Sequence, residues 1–217
     1  MRHFEVTVGR VETERQPARH FAAAPNVATP RSRSIGNALR SRGWLPGREI
    51  IVLSDSNPSL VESVRSATGD RVTHIVDWFQ VSMRVRHVEQ ALAGLLGSDL
   101  EHKGPLRYVD YDVSRLRHLI WNGYGSEARR VLRNIMDMAA NAIWLNAQRG
   151  KVRIERFIQL ASDLRTYLTL NATALVDYGR RHRDRLRIAT SGAESVVNKS
   201  PDRCRIVHRG GERRTVS

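Results

Sequence analysis

The chain is poor in cysteine, in lysine and in long apolar runs. Its single cysteine, Cys204, excludes a disulfide framework and a cysteine-rich zinc site. No apolar stretch reaches the length of a membrane span, and the first residues lack the apolar core of a signal peptide. A cytoplasmic protein with no membrane partner is expected. Glycine-rich phosphate loops, a nucleophile elbow and metal-spaced His/Cys clusters are missing too, so carboxylates are the chemistry that remains. Lysine stands only at positions 103, 151 and 199. Even so, Lys and Arg number 36 against 22 Asp and Glu, a net charge of +14 with a pI near 11.2. Guanidinium groups therefore carry the positive charge, and they suit bidentate phosphate contacts. Such a balance fits a nucleic-acid partner, because neutralising phosphates releases counterions. A solvated, arginine-rich surface satisfies the same composition. At 217 residues and 41% hydrophobic, the chain can form one globular domain, or one carrying a large insertion.

Residues 48–80, REIIVLSDSNPSLVESVRSATGDRVTHIVDWFQ, organise the rest. Ile50-Ile51-Val52-Leu53 runs into Ser54-Asp55, and Val72-Thr73-His74-Ile75-Val76 runs into Asp77. Short β-branched runs bounded by turn residues predict strands buried on both faces. Residues 59–68 predict a helix between them, opened by Asn57-Pro58 and closed by Gly69. In such βαβ-like units, polar groups at the carboxyl ends of strands face the ligand site. Asp55 and Asp77 are therefore candidate metal ligands, although an aspartate after a strand is also a common turn residue.

Upstream, residues 2–11 alternate as a strand and residues 19–23 suit its hairpin partner, followed by a helix over 34–42 with Gly43 as C-cap. Beyond Gln80 the periodicity changes. Helices are predicted over 81–96, 112–122, 126–146, 151–170 and 171–182, with Trp121 and Trp144 as core aromatics. The densest basic run follows: Arg180, Arg181, Arg183, Arg185 and Arg187. It fits a solvated helix end, where cations favour the dipole, and it fits phosphate contact. Thr190 or Ser191 caps one more expected helix, with Glu194 in its first turn. Residues 200–217 are rich in Arg, Gly and Ser, lack an apolar face and predict a disordered basic tail. Strands first and helices after give an α+β pattern, or a small α/β sheet interrupted by a helical insertion.

The segments RHFEVTVGRVE, GREIIVLSD, VTHIVDWFQVSMRVRHVEQALAGLL, RLRHLIWNGYG and SGAESVVN together resemble bacterial insertion-sequence transposases of the DDE type. The group is Kra-type and distantly similar to Mutator-like elements, and the similarity spans residues 1–198. It implies an α/β fold, an RNase H-like mixed sheet with a large all-helical insertion. The divisions are a sheet portion over 1–80, the insertion over 81–183 and the start of the glutamate helix over 184–199. By the same resemblance Asp55 matches the second catalytic aspartate and Glu194 the catalytic glutamate. The two would hold Mg²⁺ or Mn²⁺ for cutting and joining DNA at element ends and target. Asp77 matches an acid that relatives follow, three residues on, with a histidine. Here that position is Gln80, which cannot titrate near neutrality. Whether Asp55 or Asp77 is the ligand stays open.

Two departures bear on activity. The family's first catalytic aspartate lies on a central strand upstream of RHFEVTVGRV, and the match ends after Asn198. The expectation is a transposase remnant truncated at both ends, inactive by itself, with its first strand missing. The alternative is a non-catalytic DNA-binding or assembly module that modulates a full-length transposase. A homo-oligomer fits either.

Overall fold

A run of four aliphatic residues flanked by turn formers has no polar side to show water, and the computed structural model places it accordingly. The structure describes residues 7–13, 16–23, 30–56, 58–69, 72–146, 150–190 and 204–209. Strand β3, Ile50–Ser54, is buried at every position. It is the third strand in chain order, after β1, Thr7–Thr13, and β2, Gln16–Ala23. Helix α1, Arg31–Arg40, precedes it, and helix α2, Pro58–Thr68, links it to β4, Val72–Val76. Helices α3, Trp78–Leu96, α4, Gly104–Tyr108, α5, Asp110–Trp121, α6, Gly125–Asn146, α7, Lys151–Leu170, and α8, Tyr178–Arg183, follow. The last element is β5, Cys204–Arg209. The chain is a mixed α/β protein, mostly helical. It divides into two units: Met1–Asp77 with Arg181–Ser217, and Trp78–Arg180.

The first unit holds a five-stranded sheet in the order β2-β1-β5-β3-β4. β1 pairs antiparallel with both β2 and β5, while β3 pairs parallel with both β5 and β4. β5 thus joins two strand pairs that share no ladder of their own. This corrects the expected disordered tail over residues 200–217: residues 204–209 form the central strand. Composition misses it because a strand only six residues long draws its backbone partners from strands far away in the chain.

Gly9 of β1 faces Phe21 of β2 in register, and a Cβ there would lie 2.3 Å from the Phe21 ring. Only glycine lets that ring lie on the strand. Val11, Phe21, Ile35, Leu39, Trp44, Ile50, Val52, Leu60 and Val64 form the core beneath. Arg31 Nη1 donates to Ser59 Oγ at 2.8 Å, tying α1 to α2.

The second unit is all helical, and its elements follow their apolar stripes. Val81, Val85, Val88, Leu92 and Leu95 line α3 at the three- and four-residue spacing of one helix face. α6 contributes Ala128, Leu132, Ile135, Ala139 and Ala142; α7 contributes Ile154, Phe157, Ala161, Leu164 and Leu168. Trp121 packs edge-on against Trp78 at 4.8 Å between ring centroids, and Trp78 in turn meets Tyr178 at 5.0 Å. Trp144 is a correction, being 87% exposed rather than core. It lies two residues past the buried Ala142, which turns it about 200° away from the stripe. Helix α3 begins at Trp78, before the expected boundary at Gln80. Residues 171–177, expected to be helical, are turn and irregular backbone leading to the short α8.

Past α8 the chain returns to the sheet unit as a buried strap of Arg187, Ile188 and Ala189. Arg187 is only 7% exposed, and its Nη2 lies 2.8 Å and 3.1 Å from the two carboxylate oxygens of Glu12 on β1. A pair this dry is costly to break from one side, because the remaining charge stays buried. We expect Glu12→Ala to lower stability by about 3 kcal/mol and Glu12→Leu with Arg187→Met to lose less. Urea midpoints of the three proteins check this, and a single variant within 0.5 kcal/mol (about the surface range) would contradict it.

Candidate functional site at the carboxyl edge of the sheet

β3 and β4 run parallel with Ser54 opposite Val76, so Asp55 and Asp77 leave neighbouring strands at the same end of the sheet. The Asp77 N–H donates to the Ser54 carbonyl at 2.9 Å and extends the ladder by one bond. From there the two acids differ. Asp77 is 1% exposed, and its Oδ2 accepts the Thr190 N–H at 3.1 Å together with the Thr190 hydroxyl. That carboxylate therefore holds the returning strap in place. Asp55 is half-buried and follows a fully buried strand. It is followed by Ser56 at φ 75°, a left-handed conformation that bends the chain toward α2. Of the two candidate ligands, Asp55 is the one more open to solvent. Glu194 lies outside the described residues. Among those described, no group of three His, Cys, Asp or Glu side chains is arranged to hold a metal ion.

Beside this edge lies a pair that the sequence does not announce. Ser54 Oγ and His74 Nε2 are 2.9 Å apart across β3 and β4. Ser54 is fully buried. Burial of the imidazole, and then the Arg65 guanidinium, hold the His74 pKa below its ordinary 6.5. The alternation of β4 offered a weak signal, since His74 shares a face with Val72 and Val76. Its partner, 20 residues away, comes only from the register.

The five basic-run arginines separate in the structure. Arg180, Arg183 and Arg185 are exposed, and Arg181 is half-buried with its Nη2 donating to the Arg187 carbonyl at 3.3 Å. Arg187 is withdrawn from the expected DNA-binding set, because its charge is spent on Glu12 inside the fold. Asp177 caps α8, its Oδ1 accepting the Arg180 N–H at 2.7 Å. At the other end Leu186 N–H bonds the Arg181 carbonyl at 2.7 Å and Arg185 N–H the His182 carbonyl at 3.0 Å. This is the same closing pair that ends α1 at Gly43 and α5 at Gly123. Those two positions use glycine at φ 77° and 81°, whereas α8 forces Arg185 to φ 56°.

Two outcomes follow from these features. His74 has a depressed folded pKa, so between that value and 6.5 the unfolded chain binds more protons than the folded one. Its stabilisation is complete above 6.5 and is lost as the pH falls through that window. His74→Gln should flatten the dependence of thermal midpoint on pH below 6.5; an unchanged slope would show that His74 does not carry it. Arg185→Gly should raise stability by about 0.5–1 kcal/mol by relieving the left-handed strain. Denaturant unfolding reads this directly, and a loss of stability would show that the arginine side chain matters more than its backbone. Compared with known proteins, the chain matches no protein family, no curated protein and no solved structure.

Proposed function

We propose that the chain is a transposase-related DNA-binding protein with an RNase H-like sheet, inactive in strand cleavage and transfer by itself. The observation that carries this reading is the strand order β2-β1-β5-β3-β4, antiparallel on one side of β5 and parallel on the other. An RNase H-like sheet requires that arrangement, with an acid at the carboxyl end of the strand beside the centre. Asp55 stands at that place after β3. The helical unit Trp78–Arg180 falls between β4 and the strap, where the resemblance puts its insertion.

The reading of an inactive module is favoured over an active enzyme by the central strand. Its residues, Cys-Arg-Ile-Val-His-Arg, include no carboxylate, whereas the resemblance calls for a central strand that carries the first catalytic aspartate and that precedes RHFEVTVGRV in the chain. With Asp77 committed to Thr190, Asp55 is the one acid matched by the resemblance that is open to solvent among the described residues. These residues do not fit a two-metal set of Mg²⁺ or Mn²⁺. DNA is the partner by virtue of net charge and of the exposed Arg180, Arg183 and Arg185. Contact of this kind is electrostatic and needs none of the acids. A second copy of the chain, or a full-length transposase bound through the helical unit, fits the module's role in assembly.

Labelled duplex DNA titrated at several salt concentrations tests the binding. The wild type should show a negative slope of log K against log salt. Arg180→Ala with Arg183→Ala and Arg185→Ala should reduce that slope by about 2–3. Asp55→Ala and Glu194→Ala should leave it unchanged. Binding with no salt slope would end the DNA reading. Mg²⁺- or Mn²⁺-dependent nicking by the wild type, lost in the two acid variants, would replace the inactive module with an active enzyme.

A further inference from the structure

The helical unit carries a cleft that the carboxyl edge does not explain. It measures about 540 Å³ and lies where residues 100–107 meet the end of α6. Small-molecule sites span roughly 300–1,000 Å³, so one nucleotide fits. Leu100, Pro105 and Leu145 give it an apolar floor, Lys103 and Arg107 give it a cationic rim, and His102 lies beside them. Glu101, also on the rim, is 83% exposed and lies 3.8 Å from His102 Nε2. Its charge is therefore turned toward solvent and toward the imidazole.

Three contacts build this cleft in advance. Asn146, 7% exposed, accepts the His102 N–H at 3.0 Å and returns a bond to the His102 carbonyl at 2.9 Å. Arg153 Nη2 donates to Asp99 at 2.9 Å. Leu100 lies over Gly150, where a Cβ would come within 2.1 Å of its methyl group. The loop before α4 is thus held at its backbone and at both ends, which cuts the ordering cost of taking up a ligand.

The two permanent cations of the rim have no partner of opposite charge among the described residues. Lys103 and Arg107 form no ion pair among the described residues, unlike Arg115, Arg117, Arg130 and Arg153 of the same unit. They stand one helical turn apart, where like charges repel. An anion placed between them removes that repulsion. A point ammonium beside a planar guanidinium suits a phosphate, and the leucine and proline floor suits the face of a base.

We propose that this cleft is a nucleotide site, with Lys103 and Arg107 holding a phosphate and Leu100, Pro105 and Leu145 receiving the base. The ligand is either a free nucleotide or one unpaired nucleotide of a DNA strand; the second source rests on the DNA-binding reading above, the first does not. Calorimetric titration with a nucleoside monophosphate and anisotropy with a labelled single-stranded oligonucleotide distinguish the two. Lys103→Ala with Arg107→Ala is the test variant, with circular dichroism to confirm its fold. Loss of about tenfold in nucleotide affinity with oligonucleotide binding unchanged assigns the free nucleotide. Loss confined to the oligonucleotide assigns the strand, and loss of both assigns their shared chemistry. The proposal is overturned if neither probe binds, or if both bind the variant as tightly as the wild type. Salt-dependent duplex binding that survives in the variant would leave the DNA-binding reading standing when this one has failed. Leu145→Glu, which keeps both rim cations and sets a carboxylate at the floor, should weaken nucleotide binding, and unchanged affinity would remove the floor from the site.

Discussion

Everything in the sheet unit depends on the two ladders made by β5. The β1–β2 hairpin and the β3–α2–β4 unit are each local in sequence, and each can form from neighbours. Neither pairs with the other. Backbone groups on the inner edges of β1 and β3 find their partners on one six-residue strand, antiparallel on one side and parallel on the other. An unpaired inner edge would leave buried donors and acceptors unsatisfied at about 1–3 kcal/mol each. The burial of β3 at all five positions therefore presupposes β5.

Two polar contacts fix the chain as it approaches that position. Arg187 is drawn in by Glu12, and Thr190 is held by Asp77. Both join residues more than a hundred positions apart that lie before and after the helical unit in the chain. Each takes a residue that bare pattern assigns to function and uses it for architecture. An arginine in a basic run and an acid after a strand look the same on paper whether they face solvent or a partner. Burial separates them.

What was legible in the sequence is what local chemistry determines. β3, β4 and the long helices follow from β-branched runs and from stripes of one period, and their observed limits lie within a few residues of that pattern. The hairpin of β1 and β2 was legible for the same reason. β5 was not, because Cys204 to Arg209 lacks the alternation of a strand and sits inside an Arg- and Gly-rich stretch, so only distant partners make it a strand. Trp144 misled through residue type, since a tryptophan suggests core even where the stripe excludes it. The Ser54–His74 and Arg187–Glu12 pairs are contacts of register and topology that no spacing within one segment encodes. Glu194 lies beyond the described residues, so its place beside Asp55 rests on the resemblance alone.

The position of β5 also sets the order in which the molecule can be completed during synthesis. The β1–β2 and β3–β4 pairs emerge first, then the whole helical unit, and the strand that joins the pairs emerges after it. At typical elongation rates of about 5–20 residues per second, the inner edges of β1 and β3 wait on the order of ten seconds for their shared neighbour. For that interval the nascent chain presents two open strand edges, each a template for pairing with another chain. β3, with four aliphatic residues in a row, is the more hazardous of the two. The helical unit, whose contacts are mostly local, can be folded before the sheet is closed.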